Sequence, residues 1–164
     1  SLNAHETVPK SNPRIALRGK LDSLNAQIIL FQANSVNQEY ISDLEEVRQV
    51  IRLLQQCEAS DSSFTGRLSL WGLDEDDIHS RSHNPAKYYA RGHILPHRDM
   101  LREAASINLL RTLVREAELC SCHAFPDDSL RLSHVLNRLS SALYILIYKY
   151  LPDDYNHELH FGKA

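Results

Sequence analysis

The sequence predicts an all-α protein, an antiparallel helical bundle of four long helices with a short fifth. Three observations predict it. Apolar residues recur at steps of three and four along four separate stretches. No stretch alternates with the period of two that a half-buried strand requires. Only five glycines and six prolines are spread over 164 residues, so long uninterrupted segments are expected. Helices of about 20 residues are about 30 Å long, which suits a bundle joined by short turns.

Residues 1–12 are polar and read as an N-terminal arm, followed by a helical-bundle domain over 13–151 and a C-terminal tail over 152–164. Pro13 suits a first helical turn, where its missing N–H costs nothing. Leu17, Leu21, Leu24, Ile28 and Phe31 then form one stripe, and this helix should end near Asn34–Ser35. A second helix is expected over about 37–58 on the stripe Ile41, Leu44, Val47, Ile51 and Leu54, before "ASDSSFTG" breaks the pattern. "LDEDDIHSRSH" carries acids where a short helix begins, and Pro85 and Pro96 should bracket a loop. A third long helix is expected over about 99–124. In "FPDDS", Asp127 or Asp128 should cap the last helix, over about 130–150. That helix is apolar almost all round at "ALYILIYKY", so it belongs at the centre of the core or in a subunit interface.

Net charge is −3, which excludes a general polyanion binder and predicts no nucleic-acid partner. No apolar run reaches the 18 or so residues of a membrane span. Ser1-Leu2 without a methionine is expected to be a processed or truncated start. Cys57, Cys120 and Cys122 are an odd number without a C-x-x-C pair, which favours a reducing compartment over a disulfide framework.

Several polar constellations stand out. Arg111 and Arg115 are four apart on one helix face, where like charges repel by a few tenths of a kcal/mol. Either the pair is solvated, with Glu118 neutralising it, or it forms a forked receptor for phosphate. Arg18, Asp22 and Asn25 edge the first helix, as a solvated face or as a partner for an arginine of another helix or subunit. Asn137 and Arg138 interrupt an apolar helix; a buried amide there would register the bundle or meet a ligand. His79 and His83 have the i, i+4 spacing of a metal pair, but the spacing is weak, and no metal is expected to be held by this chain alone.

Three motifs in order resemble the ATP:cob(I)alamin adenosyltransferases, above all their ethanolamine-utilisation branch. "NPRIALRGKLDSLN" is similar to the related propanediol-utilisation pattern D-x-R-[IV]-E-A-x-G-T-[IL]-D-E-L-N, keeping Arg14, Gly19, Asp22, Leu24 and Asn25. "HILPHRDMLREAASINLLRTLVREAE" is similar to F-x-L-P-G-G followed by A-R-x-x-x-R-R-A-E, and "LNRLSS" to L-N-R-L-S-D. From the ethanolamine branch, "KSDPR" is similar to "KSNPR", and "GLNEDELHRLSHQPLRY" to "GLDEDDIHSRSHNPAKY".

The resemblance implies a trimer of bundles with sites between subunits, and transfer of the 5′-deoxyadenosyl group of ATP to the cobalt of cob(I)alamin. By residue, it implies that Arg111 and Arg115 hold the ATP phosphates and that Asp22 pairs across the interface with the arginine at the Arg111 position. Lys10, Arg14, Glu118 and Asn137 then belong to the nucleotide site, with Mg²⁺ accompanying ATP. His93 stands where the propanediol branch has a phenylalanine against the lower corrin face. The Gly-rich ATP segment and the double glycine of that branch are absent; "LPHR" replaces the latter. A zinc or iron cluster of the ethanolamine branch would lie upstream of the shared region. A bacterial cytoplasm, a microcompartment, a reductase and an ethanolamine ammonia-lyase are implied as location and partners. A non-catalytic corrinoid or nucleotide sensor, and a structural helical assembly protein, remain as alternatives on the same fold.

Overall fold

A computed structural model of the chain describes residues 7–9 and 12–159. Six α-helices form it: α1 Pro13–Ala33, α2 Gln38–Ser60, α3 Glu75–His83, α4 Pro85–Tyr89, α5 Leu101–Ala124 and α6 Leu132–Tyr150. The four long ones, α1, α2, α5 and α6, are the four expected. Asn12 caps α1 by accepting the Arg14 N–H at 2.9 Å, and Asn37 caps α2 through the Tyr40 N–H at 3.2 Å. Such caps satisfy amides that the helix itself leaves without a partner.

Pro85 does not bracket a loop; it opens the single turn of α4, the position where a proline's fixed φ is already helical. The last helix begins two residues later than expected, because Arg131 is left-handed at φ 61°. Asp128, the expected cap, reaches over that turn and accepts from the Ser133 and His134 N–H groups at 2.8 and 3.0 Å. The acid-rich start of α3 is a capping box between Asp74 and Asp77.

Cross-helix contacts fix the directions. Arg14 at the start of α1 meets Glu58 at the end of α2. Lys20 near the start of α1 meets Glu116 near the end of α5, and Ser133 on α6 bonds Ser121 on α5 at 2.8 Å. Neighbours in the bundle therefore run antiparallel. The stripe Leu17, Leu21, Leu24 and Ile28 is buried, each side chain contributing roughly 1.5–3 kcal/mol of apolar burial. The apolar helix α6 lies at the centre, with Leu136, Leu139, Leu143 and Ile147 almost fully covered.

Between α4 and α5 the chain crosses one end of the bundle, and residues 152–159 return across it. Leu95 N–H donates to His157 O at 2.9 Å and Leu159 N–H to His93 O at 2.6 Å. Arg91 donates to the carbonyls of Pro152, Asp153 and Tyr155. The tail is thus a strap over the segment that carries His93. Among the described residues, no helix is long and apolar enough to cross a membrane.

Candidate functional site

Arg111 and Arg115 project from α5 into a cavity of about 320 Å³ lined also by Ser82, His83, His93, Ser140, Ser141 and Tyr144. Helix α5 supplies the cations, α6 the hydroxyls of Ser140, Ser141 and Tyr144, α3 Ser82 and His83, and the crossing segment His93. Arg111 is half-buried, and its Nε and Nη2 donate to Asn108 Oδ1 at 3.2 and 3.0 Å. Burial, and then the nearby Arg115 charge, hold its pKa below the usual arginine value. Arg115 is exposed at the mouth. Neither guanidinium has a carboxylate within ion-pair distance among the described residues. Two cations turned into one concavity with no counter-charge make a receptor for an anion.

A hydrogen-bonded chain runs along the opposite wall. Tyr148 OH donates to Gly92 O at 2.8 Å, Tyr144 OH lies 3.1 Å from Tyr148 OH, and His93 Nδ1 lies 2.8 Å from Tyr144 OH. Each hydroxyl has one proton. Tyr148 spends its proton on the carbonyl, so Tyr144 must donate to Tyr148, and His93 Nδ1–H must donate to Tyr144. The neutral imidazole is therefore the Nδ1–H tautomer, with its lone pair on Nε2. Burial, followed by the Tyr144 hydrogen bond, pushes the Tyr148 pKa far above the ordinary phenol value, so Tyr148 keeps the proton it gives to Gly92. The His93 and Tyr144 rings lie 5.9 Å apart and within 25° of parallel, and both line the cavity.

The other expected site residues lie elsewhere. Asn137 is exposed rather than buried, so it does not register the core; its Nδ2 donates to Glu118 Oε1 at 3.1 Å, one turn beyond Arg115. Asp22 is exposed on α1, outside the cavity, and no hydrogen bond or ion pair reaches its carboxylate from the described residues. Asn25 Oδ1 is buried without a hydrogen-bond partner. Arg14 clamps the helix ends: its Nε meets Glu58 Oε1 at 3.0 Å, its Nη1 meets Asp61 Oδ1 at 2.9 Å, and Phe125 lies under the guanidinium. Lys10 lies outside the described residues. The rings of His79 and His83 are neighbours at 4.2 Å, but Arg138 Nη1 donates to His79 Nδ1 at 2.9 Å. That occupies the lone pair a metal would need.

Tyr144, Ser140 and Asn108 were not singled out by sequence, although each sits at helical spacing from a residue that was. Ser140 is three residues from Asn137, Tyr144 four from Ser140, and Asn108 three before Arg111. A second groove, of about 790 Å³, lies between the α1–α2 corner and the start of α5, lined by Phe31, Val36, Tyr40 and Leu109. It is larger but mostly apolar, and it holds neither Arg111 nor Arg115.

The chain has recognisable relatives. The family model described as Cobalamin adenosyltransferase matches residues 1–150. The corrinoid adenosyltransferase EutT of Salmonella typhimurium is 33% identical over 151 residues, covering 89% of this chain and 56% of that protein. The Escherichia coli K12 protein of the same name is 32% identical over the same shares. The chain thus spans about half the length of these relatives. Among solved structures, a phenylalanine-to-histidine variant of a PduO-type ATP:corrinoid adenosyltransferase from Lactobacillus reuteri, complexed with cobalamin and ATP, superposes with a TM-score of 0.66 at 19% identity. That match covers 94% of this chain and 91% of the other. A phenylalanine-to-alanine variant of the same enzyme, with the same ligands, gives 0.68 at 18% identity, covering 96% and 91%.

Proposed function

The chain belongs to the cobalamin adenosyltransferase family, and from that premise we propose that it moves the 5′-deoxyadenosyl group of ATP to the cobalt of cob(I)alamin. The carboxylate-free pair Arg111 and Arg115 carries this reading. In the reaction a bond forms between cobalt and the ribose 5′-carbon, the bond from that carbon to its phosphate oxygen breaks, and triphosphate leaves with the electron pair. Reduced cobalt is itself a strong nucleophile, so no general base is needed. The protein must align the two reactants and stabilise the leaving anion.

Arg111, partly desolvated and steadied by Asn108, meets the growing negative charge where a guanidinium acts most strongly. Arg115 at the mouth neutralises the outer phosphates, and a bound polyphosphate relieves the repulsion between the two cations. Among the described residues no carboxylate lines the cavity, so the lining as described holds no Mg²⁺ by itself, and any Mg²⁺ would arrive on the triphosphate. The aromatic side chains of Tyr144 and His93 offer ring faces to the corrin, with His93 Nε2 beside it. Lys10, Arg14, Glu118 and Asn137 remain candidates for the nucleotide on the family pattern. Among them the Glu118–Asn137 pair lies one turn from Arg115 and is the better placed.

The exposed, unpaired Asp22 supports a further part of the reading, that it meets the arginine of a neighbouring copy in a trimer. Sedimentation should then give three chains per particle, and a stable monomer at high concentration would overturn it. A reductase would supply the reduced corrinoid and an ethanolamine-type lyase would consume the product, in a bacterial cytoplasm or a microcompartment. The decisive experiment incubates this chain anaerobically with reduced cobalamin and ATP and follows the light-sensitive cobalt–carbon product. Product formation that stops in Arg111→Ala supports the assignment. Tight binding of both ligands without product would make the domain a sensor instead.

A further inference from the structure

We propose that His97, Asp99 and His157 form a binding site for a divalent transition metal of the zinc, cobalt or iron class, one that fastens the tail to the segment carrying His93. One donor atom from each of the three lies within 4.8 Å of the other two. His157 Nε2 is 2.8 Å and His97 Nδ1 is 3.3 Å from the same carboxylate oxygen, Asp99 Oδ2. Donors about 2.1 Å from a shared metal stand roughly 3.0–3.4 Å apart, for octahedral and tetrahedral sites respectively. The two separations to Asp99 Oδ2 fall close to that interval. Two imidazoles with one carboxylate select zinc, cobalt, nickel or iron(II) over magnesium and calcium, which prefer all-oxygen shells.

The three groups are already gathered around Asp99. His97 Nδ1 accepts the Asp99 backbone N–H at 3.1 Å, so its lone pair lies beside the carboxylate, and His157 Nε2 meets Oδ2 at 2.8 Å. The rings of His97 and His157 are stacked at 3.9 Å between centroids and 16° between planes, which keeps both imidazoles at the one carboxylate. A metal cation bound by the three donors would face that carboxylate and both ring nitrogens. Binding requires that the Asp99 N–H release His97 and turn to water, that His157 carry its proton on Nδ1, and that the rings turn so that both lone pairs reach the ion.

The position gives the site a purpose. His97 and Asp99 precede α5, while His157 lies 58 residues beyond Asp99 in the strap, next to the backbone bonds that hold Leu95 and His93. A metal here would close that long loop and steady the wall of the Arg111 cavity without entering it. Three protein ligands leave coordination positions to water. The site is separate from the proposed transferase centre, so the two can fail independently.

The test titrates the metal-free chain with Co²⁺ and records its ligand-field absorption. One equivalent should bind, with d–d bands and without the intense near-ultraviolet bands of thiolate coordination. Binding should fall at least 100-fold in His157→Ala and in Asp99→Asn, and persist in Cys122→Ser. Zn²⁺ should raise the melting temperature of the native chain by about 5 °C at 100-fold excess over its dissociation constant, and should leave that of His157→Ala unchanged. An unaltered metal-free melting curve shows that this variant still folds. Absence of stoichiometric uptake, thiolate bands, or equal affinity in the His157 variant would overturn the proposal.

Discussion

The arginines four residues apart on α1 and those four apart on α5 have opposite fates. On α1, Arg14 and Arg18 converge on Glu58: Arg14 Nε meets Oε1 at 3.0 Å and Arg18 Nε meets Oε2 at 2.6 Å. The carboxylate is only 1% exposed. On α5, Arg111 and Arg115 turn into a cavity that no acid lines among the described residues, and Arg111 is held by the Asn108 amide oxygen. The same spacing therefore yields a structural clamp in one place and an anion receptor in the other. What separates them is a residue 40 or more positions away in the chain, brought in by tertiary packing. Local spacing says that two guanidinium groups share a face; only the opposing helix says what they are for.

The contrast breaks most visibly at Arg111. Arg111→Ala should lower adenosyl transfer by about 10³-fold, the order found for removing one preorganised donor to a developing anion. It should leave the melting temperature unchanged or slightly higher, because burial and the Arg115 charge both work against the folded guanidinium. Steady-state product formation and a thermal melt on the same sample check both halves. Retention of more than a tenth of wild-type turnover would remove Arg111 from the mechanism.

Glu58→Ala tests the other pair and should do the reverse. Loss of the carboxylate leaves two largely buried cations facing each other, which costs about 3 kcal/mol. Urea unfolding should show this as a lower midpoint at unchanged slope, while transfer measured below the new midpoint stays near normal. A stability loss below about 1 kcal/mol would mean that water reaches the clamp freely.

Much of this architecture was legible in the sequence, for a definite reason. The stripe Leu17, Leu21, Leu24 and Ile28 is both periodic and buried, so pattern and packing coincide. Asp128, one of the two expected caps, accepts from the Ser133 and His134 N–H groups at the start of α6, since capping is settled within a few residues. Asn137 was not legible. Its apolar neighbours suggest burial, yet it lies at the margin of the α5–α6 contact, where Glu118 can reach it. Nor was the relay from His93 through Tyr144 to Tyr148, because it joins residues 51 positions apart. The His97, Asp99 and His157 cluster depends on the tail folding back, which no local pattern in "NHELH" signals.

A smaller effect sharpens the receptor half of the comparison. Inorganic triphosphate should stabilise the wild-type chain, and Arg115→Ala should weaken its binding by about tenfold, since this guanidinium is exposed and screened. Arg111→Ala should weaken it further. Raising the salt concentration should erode the Arg115 contribution first, because a half-buried charge is screened less than an exposed one. Calorimetric titration at two ionic strengths separates the two, and equal salt sensitivity of both variants would contradict the assigned difference in burial.

A third arrangement supplies the control with the smallest expected effect. Arg48 and Glu45 pair within α2 itself, at 2.6 Å, so this ion pair needs no distant partner. The Arg48 hydrogen bonds hold the Glu45 pKa down to about 2, against an ordinary 4.5. Because the folded value is the lower one, its contribution is fully present above about pH 4.5 and is lost as the pH falls towards 2. The Glu45 side chain is 38% exposed, so solvent screening cuts the contribution to below about 1 kcal/mol. Glu45→Gln should accordingly lose that increment at pH 7 and unfold with a slightly shallower dependence on acid between pH 4.5 and 2. Chemical denaturation at pH 7 and at pH 3 measures the difference, which should narrow at the lower pH. A widening gap would show that the pair is coupled to the rest of the bundle, as the Glu58 clamp is, and that a surface contact between near neighbours can do the work of a buried one.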